Sequence, residues 1–276
     1  MKSTLTALIA LAAMLPAAAF AQADPGHKTP YEANEALELG LSGASIAASA
    51  LIPKLFLEED LTAPACGGCD IDSINPLDRP VTGYDSAAAR LISDVGLVGL
   101  ITLPLALSFA DAAMTEGGDG LDGFLTDATI LTETFAVQFA LVQIIKYTVE
   151  RPRPFTYNPD VPLERKLDYD STLSFFSGHS STAFSMAVAY AITYQERHPD
   201  EASRFVVWTG ALGLAALTSS MRIAGGKHFW TDVLTGALVG TSVGVIIPVL
   251  HLSGDGPPPA ATAKPSLTPI MLMGTF

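Results

Sequence analysis

The chain has 276 residues, 49% of them hydrophobic and only 16% charged, enough for one large domain or two small ones with an ample core. A formal net charge of −13 excludes a nucleic-acid partner, because a polyanion needs a basic footprint. The mean hydropathy is positive, high for a soluble protein, and no internal repeat of roughly 20–50 residues is visible.

Residues 1–21 have the form of an export signal: Lys2, then the apolar run "LTALIALAAMLPAAAF", then Ala19-Phe20-Ala21 before Gln22, a small-x-small cleavage site. Residues 22–90 hold a helix-like apolar segment at 35–56 and a loop around "CGGC". In an exported chain that close pair reads as a disulfide between Cys66 and Cys69. Its flanks read as loop rather than the strand and helix of a redox motif. The nearby Asp70, Asp72, Asn75 and Asp78 lack the spacing of a calcium loop and read as a polar turn.

Further apolar segments lie near 92–110, 128–146, 180–195, 205–221 and 233–252. Strand alternation and hairpin signals are scarce, so the fold class is all-α. Residues 233–252 carry no charge and reach the roughly 20 residues that a membrane crossing needs. Others are shorter or interrupted by Asp94, Asp127 or Glu133. Their many Gly, Ala, Ser and Thr residues suit close helix packing in lipid or in a buried bundle. If 35–56 does not cross, the loops rich in Lys and Arg fall outside, against the positive-inside tendency. If it crosses after a cleaved signal, those loops and the cysteine loop fall inside. Residues 253–276 form a Pro/Ala-rich tail.

Three stretches carry chemistry. In "KYTVERPRPF" (146–155), Lys146 closes an apolar segment and prolines after Arg151 and Arg153 end the helix. Fixed cations there form an anion clamp, since Arg binds phosphate oxygens through paired N–H groups and Lys adds a point charge; a plain basic helix end is the alternative. In "FFSGHSSTAF" (175–184), Ser177-Gly178-His179 opens a helix whose free N–H groups favour an oxyanion, and Gly178 leaves room for it. Ser177, Ser180 or Ser181 also suits a simple cap. In "MRIAGGKHFWTDVLTGALVG" (221–240), His228 and Asp232 stand four apart. On one helical face Asp232 would fix the His228 tautomer and free its other nitrogen as a nucleophile.

Taken in order, Lys146-x6-Arg153-Pro154, Ser177-Gly178-His179 and Arg222-x5-His228-x3-Asp232 closely resemble the three-part motif of the type-2 phosphatidic-acid phosphatase superfamily. That superfamily includes lipid phosphatases, bacterial acid phosphatases and vanadium haloperoxidases. Phe176 replaces the family's usual Pro and Met221 its usual Ser, with Ser219 and Ser220 adjacent. The six-residue spacing selects Arg153 over Arg151.

The resemblance implies a helical bundle of about five or six core helices over 91–252, embedded in a membrane. It implies a metal-independent phosphatase that uses no cofactor and hydrolyses a lipid phosphate or diphosphate through a phosphohistidine. His228 would be the nucleophile, His179 the acid and base, and Asp232 the partner that orients His228. Lys146, Arg153, Ser177, Gly178 and Arg222 would bind phosphate. Undecaprenyl diphosphate, phosphatidylglycerol phosphate, phosphatidic acid and a lipid A phosphate are candidate substrates. The expected location is the bacterial inner membrane with the site facing the periplasm. A soluble periplasmic acid phosphatase and a vanadium haloperoxidase are the alternatives.

Overall fold

Several helices of this chain carry their small and polar residues inward and their large apolar residues outward. Helix α1 (Glu35–Phe56) buries Glu38, Ser42, Ser45 and Ser49 while Leu37, Leu51 and Leu55 are exposed. Helix α2 (Ala87–Met114) buries Ser93 and Ser108 and exposes Leu91, Val95, Leu103 and Phe109. In water this arrangement would leave apolar stripes unburied; in lipid it is the expected one, because the tails solvate Leu and Val while small residues let backbones approach.

The computed structural model describes residues 30–56, 69–115 and 120–253. The remaining helices are α3 (Gly120–Val149), the short α4 (Leu163–Lys166), α5 (Gly178–Arg197), α6 (Ser203–Ala224) and α7 (Trp230–Leu250). The described residues contain no strand, only an isolated bridge between Tyr31 and Leu252. The chain is therefore all-α, as its sequence implies, and the six apolar segments correspond to α1, α2, α3, α5, α6 and α7. Five of these helices, all but α5, are long and apolar enough to cross a membrane.

Helix α5 is the centre of the bundle, packed against α2, α3, α6 and α7, while α1 lies on α3. Its buried residues are mostly Ser, Thr and Ala, so neighbours approach its backbone closely. The tightest approach is α7, whose Gly236, Gly240 and Gly244 face the carbonyls of Ser177, Ser181 and Ser185. A Cβ at Gly240 would stand 2.1 Å from the Ser181 oxygen, so this seam requires glycine.

The helices alternate in direction. The C-terminal end of α3 and the N-terminal ends of α5 and α7 therefore meet at one end of the bundle, beneath residues 150–177 and 69–86. Residues 30–34 and 251–253 lie at the opposite end, where Glu32 N–H donates to the His251 carbonyl at 2.9 Å. The expected signal at 1–21, Cys66 and the tail beyond Ser253 lie outside the described residues. Cys69 is disulfide-bonded, and no free cysteine occurs among the described residues.

Candidate active site

Lys146 sits in the last turn of α3. The helix then stops: Glu150 adopts a positive φ of 48°, a conformation rare for a non-glycine residue. The two Arg-Pro pairs continue as extended chain. There the Arg153 N–H donates to the Ser171 carbonyl at 2.8 Å, and the Ser174 N–H to the Arg151 carbonyl at 2.9 Å. These bonds fix the strand-like segment against the loop that enters α5.

Arg153 is only 2% exposed. Its Nε donates to the Asp170 carbonyl at 2.7 Å and its Nη1 to the Lys227 carbonyl at 3.0 Å; Nη2 pairs with Asp170 Oδ1. The same Nη1 lies 3.1 Å from His228 Nε2. The other ring nitrogen, Nδ1, lies 2.8 Å from the Ser174 carbonyl. A carbonyl only accepts, so Nδ1 carries the proton and Nε2 presents a lone pair. This assigns the tautomer that a nucleophilic imidazole needs, with Nε2 pointing towards the guanidinium of Arg153.

Asp232 does not make that bond. Its Oδ2 is 3.8 Å from His228 Nδ1, beyond hydrogen-bond reach, because α7 starts at Trp230 and His228 lies before it. The four-residue spacing therefore does not place both side chains on one helical face. Asp232 Oδ2 instead accepts from the Phe229 N–H at 2.9 Å and from Ser174 Oγ at 2.6 Å. Ser174 thus links the two, its carbonyl to the imidazole and its hydroxyl to the carboxylate. Asp232 Oδ1 pairs with Arg151 Nη1, whose other arm holds Asp78 Oδ2 at 2.9 Å. Asp78 also takes bonds from Thr231 and Asn75. The Asp70–Asp78 turn therefore contributes a buried anchor under the start of α7, and Arg151 is an internal strut rather than a spare cation.

Ser177 caps α5, accepting from the Ser180 N–H at 3.3 Å, and its own N–H donates to the Asp232 carbonyl at 3.1 Å. At Gly178 a Cβ would come within 3.0 Å of Val142 and 3.8 Å of Lys146 Nζ, so the glycine keeps open the space beside that ammonium. His179 Nε2 donates to Asp94 Oδ1 at 2.8 Å, and Arg222 Nη1 reaches the same oxygen at 3.0 Å. Of the serines beside Met221, Ser219 bonds to Ser180 and Ser220 to the Leu217 carbonyl. Phe176, in the place of the usual proline, is buried with its ring edge-on to Phe175.

Burial, together with Arg153 and Arg222, holds the His228 imidazole well below its usual pKa. It therefore stays neutral into the acid range. Burial pushes the Asp170 carboxyl up, but Arg153 and Lys227 overcome this and hold it below the usual carboxylate range. Burial and neighbouring Arg153 push the Lys227 ammonium down. A dianion entering between Lys146, Arg153 and Arg222 would meet three cations, the free N–H groups at the start of α5, a neutral imidazole lone pair and a second imidazole. His179, His228 and Asp232 do not gather as a ligand set for a metal among the described residues.

Every motif residue singled out in the sequence thus lies at one end of the bundle. Ser174, Asp94, Arg151 and Asp78 join them there, although no motif spacing in the sequence marks them; Asp94 stands in the sequence only as a charge interrupting an apolar segment.

Residues 127–253 match the PAP2 superfamily model. The chain is 32% identical over 111 residues to a lipid A 1-phosphatase of Porphyromonas gingivalis, covering 40% of this chain and 20% of that protein. It is 29% identical over 136 residues to phospholipid phosphatase 1 of Rattus norvegicus, covering 41% of this chain and 48% of that one. These matches span less than half the length of either relative. A transmembrane PAP2-type phosphatidylglycerolphosphate phosphatase from Bacillus subtilis superposes with a TM-score of 0.41 at 22% identity, covering 90% of this chain and 94% of that one. The three motif stretches, folded to one end of the bundle, all lie within the region from α3 to just past α7 that matches the PAP2 superfamily model.

Proposed function

We propose that the protein is a lipid phosphatase that works through a phosphohistidine without a catalytic metal. The observation that carries this reading is the His228 ring, with its Nδ1 proton held by the Ser174 carbonyl and its Nε2 lone pair facing Arg153. His228 Nε2 attacks phosphorus while the bond to the ester oxygen breaks. His179 gives that oxygen a proton, and the alcohol or lipid phosphate leaves. His179 then takes a proton from water, the resulting hydroxide attacks phosphorus, the P–N bond breaks, and inorganic phosphate departs. Lys146, Arg153 and Arg222 hold the non-bridging oxygens, and Ser177 and the Gly178 N–H add neutral donors. Together they offset the charge that develops in transfer. Asp232 acts on His228 through Ser174.

The apolar outer faces of α1, α2, α6 and α7 favour a membrane-embedded enzyme over a soluble acid phosphatase. A lipid substrate accords with that setting and with the names of the two relatives, a lipid A 1-phosphatase and a phospholipid phosphatase. A phosphatidic acid, phosphatidylglycerol phosphate, undecaprenyl diphosphate or lipid A phosphate fits the same clamp. The folding unit is residues 91–252, with 22–90 supplying α1 and the loop beside the site.

The disulfide at Cys69 supports a site that faces an oxidising compartment, outside the inner membrane. With α1 crossing, residues 30–34 and the site lie on opposite sides. A cleaved leader would deliver residue 22 outside and turn the site inward. With α1 crossing, the outward site therefore requires the apolar N-terminal stretch to stay on the inner side; the cleaved leader and the outward site stand together only if α1 does not cross.

The direct test is phosphate release from those lipids by the purified protein in EDTA. His228→Ala should abolish release, and loss of one clamp residue such as Arg222 should cost on the order of 10²–10³ in rate. Release that persists in His228→Ala would overturn the mechanism.

A further inference from the structure

At the end of the bundle away from the site, Glu38 of α1, Glu133 of α3 and His251, just beyond α7, converge. All three are buried, with Glu38 and Glu133 each 1% exposed. The full length of α7, about 30 Å at roughly 1.5 Å per residue, separates this cluster from His228. None of these residues serves the phosphatase reading.

His251 Nδ1 lies 2.8 Å from the Ile247 carbonyl one turn back, so Nδ1 carries the proton. Nε2 faces two carboxylate oxygens, Glu38 Oε2 at 3.1 Å and Glu133 Oε2 at 3.2 Å. Three features set this apart from an ordinary ion pair. First, Glu133 Oε1 is buried with no hydrogen-bond partner, and Oε2 has only the His251 Nε2 that it shares with Glu38, a costly arrangement unless something else satisfies them. Second, the charges do not balance. Even a protonated imidazole leaves one of the two carboxylates uncompensated, whereas a dication with a neutral imidazole brings the sum to zero. Third, both distances exceed the roughly 2.7–2.9 Å of a charge-assisted N–H···O bond. They approach the roughly 3.3 Å that separates ligands about 2.0 Å from a tetrahedral zinc. One N–H cannot serve two oxygens well, but one metal can serve all three ligands.

We infer that Glu38, Glu133 and His251, whose ligand atoms lie within 4.8 Å of one another, form a three-ligand zinc site, its fourth position left to water, that fastens α1 and the end of α7 to α3. The outer contacts fit this role. The Ile247 carbonyl fixes the imidazole, and Glu38 Oε1 accepts from the Asn34 N–H at 3.0 Å, as supporting bonds to metal ligands commonly do. The strap formed by the Glu32 N–H to the His251 carbonyl and the Ser253 N–H to the Pro30 carbonyl lies directly beside the cluster. It holds the ligands of α1 and α7 in register.

The test uses the tag-free full chain in detergent, loaded with zinc sulfate and dialysed against metal-free buffer. Elemental analysis should find about one zinc per chain. Chelation should lower the thermal midpoint and zinc should restore it, since a ligand bound only by the folded state stabilises it. The isosteric Glu133→Gln, and separately His251→Gln, should cut retained zinc at least tenfold. Glu38→Gln, which keeps the Asn34 bond, covers the case in which the others fold poorly. Wild-type protein that retains no zinc would overturn the inference in favour of a shared proton. Zinc retained equally by all three variants would overturn it in favour of a site elsewhere. Neither outcome bears on phosphate release, which His228→Ala tests separately.

Discussion

Ser174 has two jobs in one residue: its carbonyl takes the His228 proton and its hydroxyl holds Asp232. Nothing in "TLSFF" announces this, because the contact joins residues more than fifty apart and the hydroxyl itself does no chemistry. The motif residues were legible because their types and spacings carry the phosphate chemistry directly. Their partners were not, since any polar side chain at the right place in the fold would serve. Asp94 is the clearest case. Its Oδ1 touches both His179 and Arg222, and there it opposes the burial and the Arg222 charge that hold the His179 imidazole below its usual pKa. Asp94→Asn removes that charge, so His179 should lose its proton at lower pH. The alkaline limb of kcat/KM, which reports groups in the free enzyme, should move to lower pH. The acid limb should not follow, because burial and the neighbouring arginines already hold the His228 imidazole well below its usual pKa. An alkaline limb that stays in place in Asp94→Asn would separate Asp94 from His179 function.

The helix that carries His179 and the helix that begins just after His228 are held together by the glycine seam of α7 against α5. The sequence shows the four-residue glycine repeat in "GALVGTSVG", but not which helix it meets, and the pattern equally suits pairing between copies of a chain. The fold answers this with α5, whose Ser177, Ser181 and Ser185 carbonyls receive the three glycines. Helix boundaries mattered as much as helix existence. Beginning α7 at Trp230 rather than at His228 removes the expected contact between His228 and Asp232. The seam also sets the distance between His179 and His228, because both residues stand at its upper end. Gly240→Ala would place a Cβ 2.1 Å from the Ser181 oxygen, which backbone on both sides cannot yield without the helices parting. A displacement of about 1 Å at the reacting groups costs on the order of 10² in rate. Phosphate release should fall by about that factor, with binding of a non-hydrolysed phosphate analogue weakened less. Wild-type turnover in Gly240→Ala would mean that the seam does not govern the site.

For the whole molecule, apolar exposure and charge together decide which way it sits. The outer faces call for lipid, and the polar ends differ: the site end holds Arg79, Arg151, Arg153, Arg165 and Lys227, each paired with an aspartate. These cations are committed to pairing with aspartates that anchor the loops, so their number at the site end does not by itself set that end inside under the positive-inside tendency. The sequence could not decide the matter, because its charge distribution and its N-terminal signal point inward while its cysteine pair points outward. The fold reduces the question to one measurement, since Glu164 lies at the site end and Asp200 at the other, both exposed. With Cys66 and Cys69 replaced by serine, Glu164→Cys in spheroplasts should react with a membrane-impermeant maleimide, and Asp200→Cys only after lysis. The opposite pattern would turn the site inward, restore the cleaved leader, and restrict the substrate to lipids presented on the cytoplasmic leaflet.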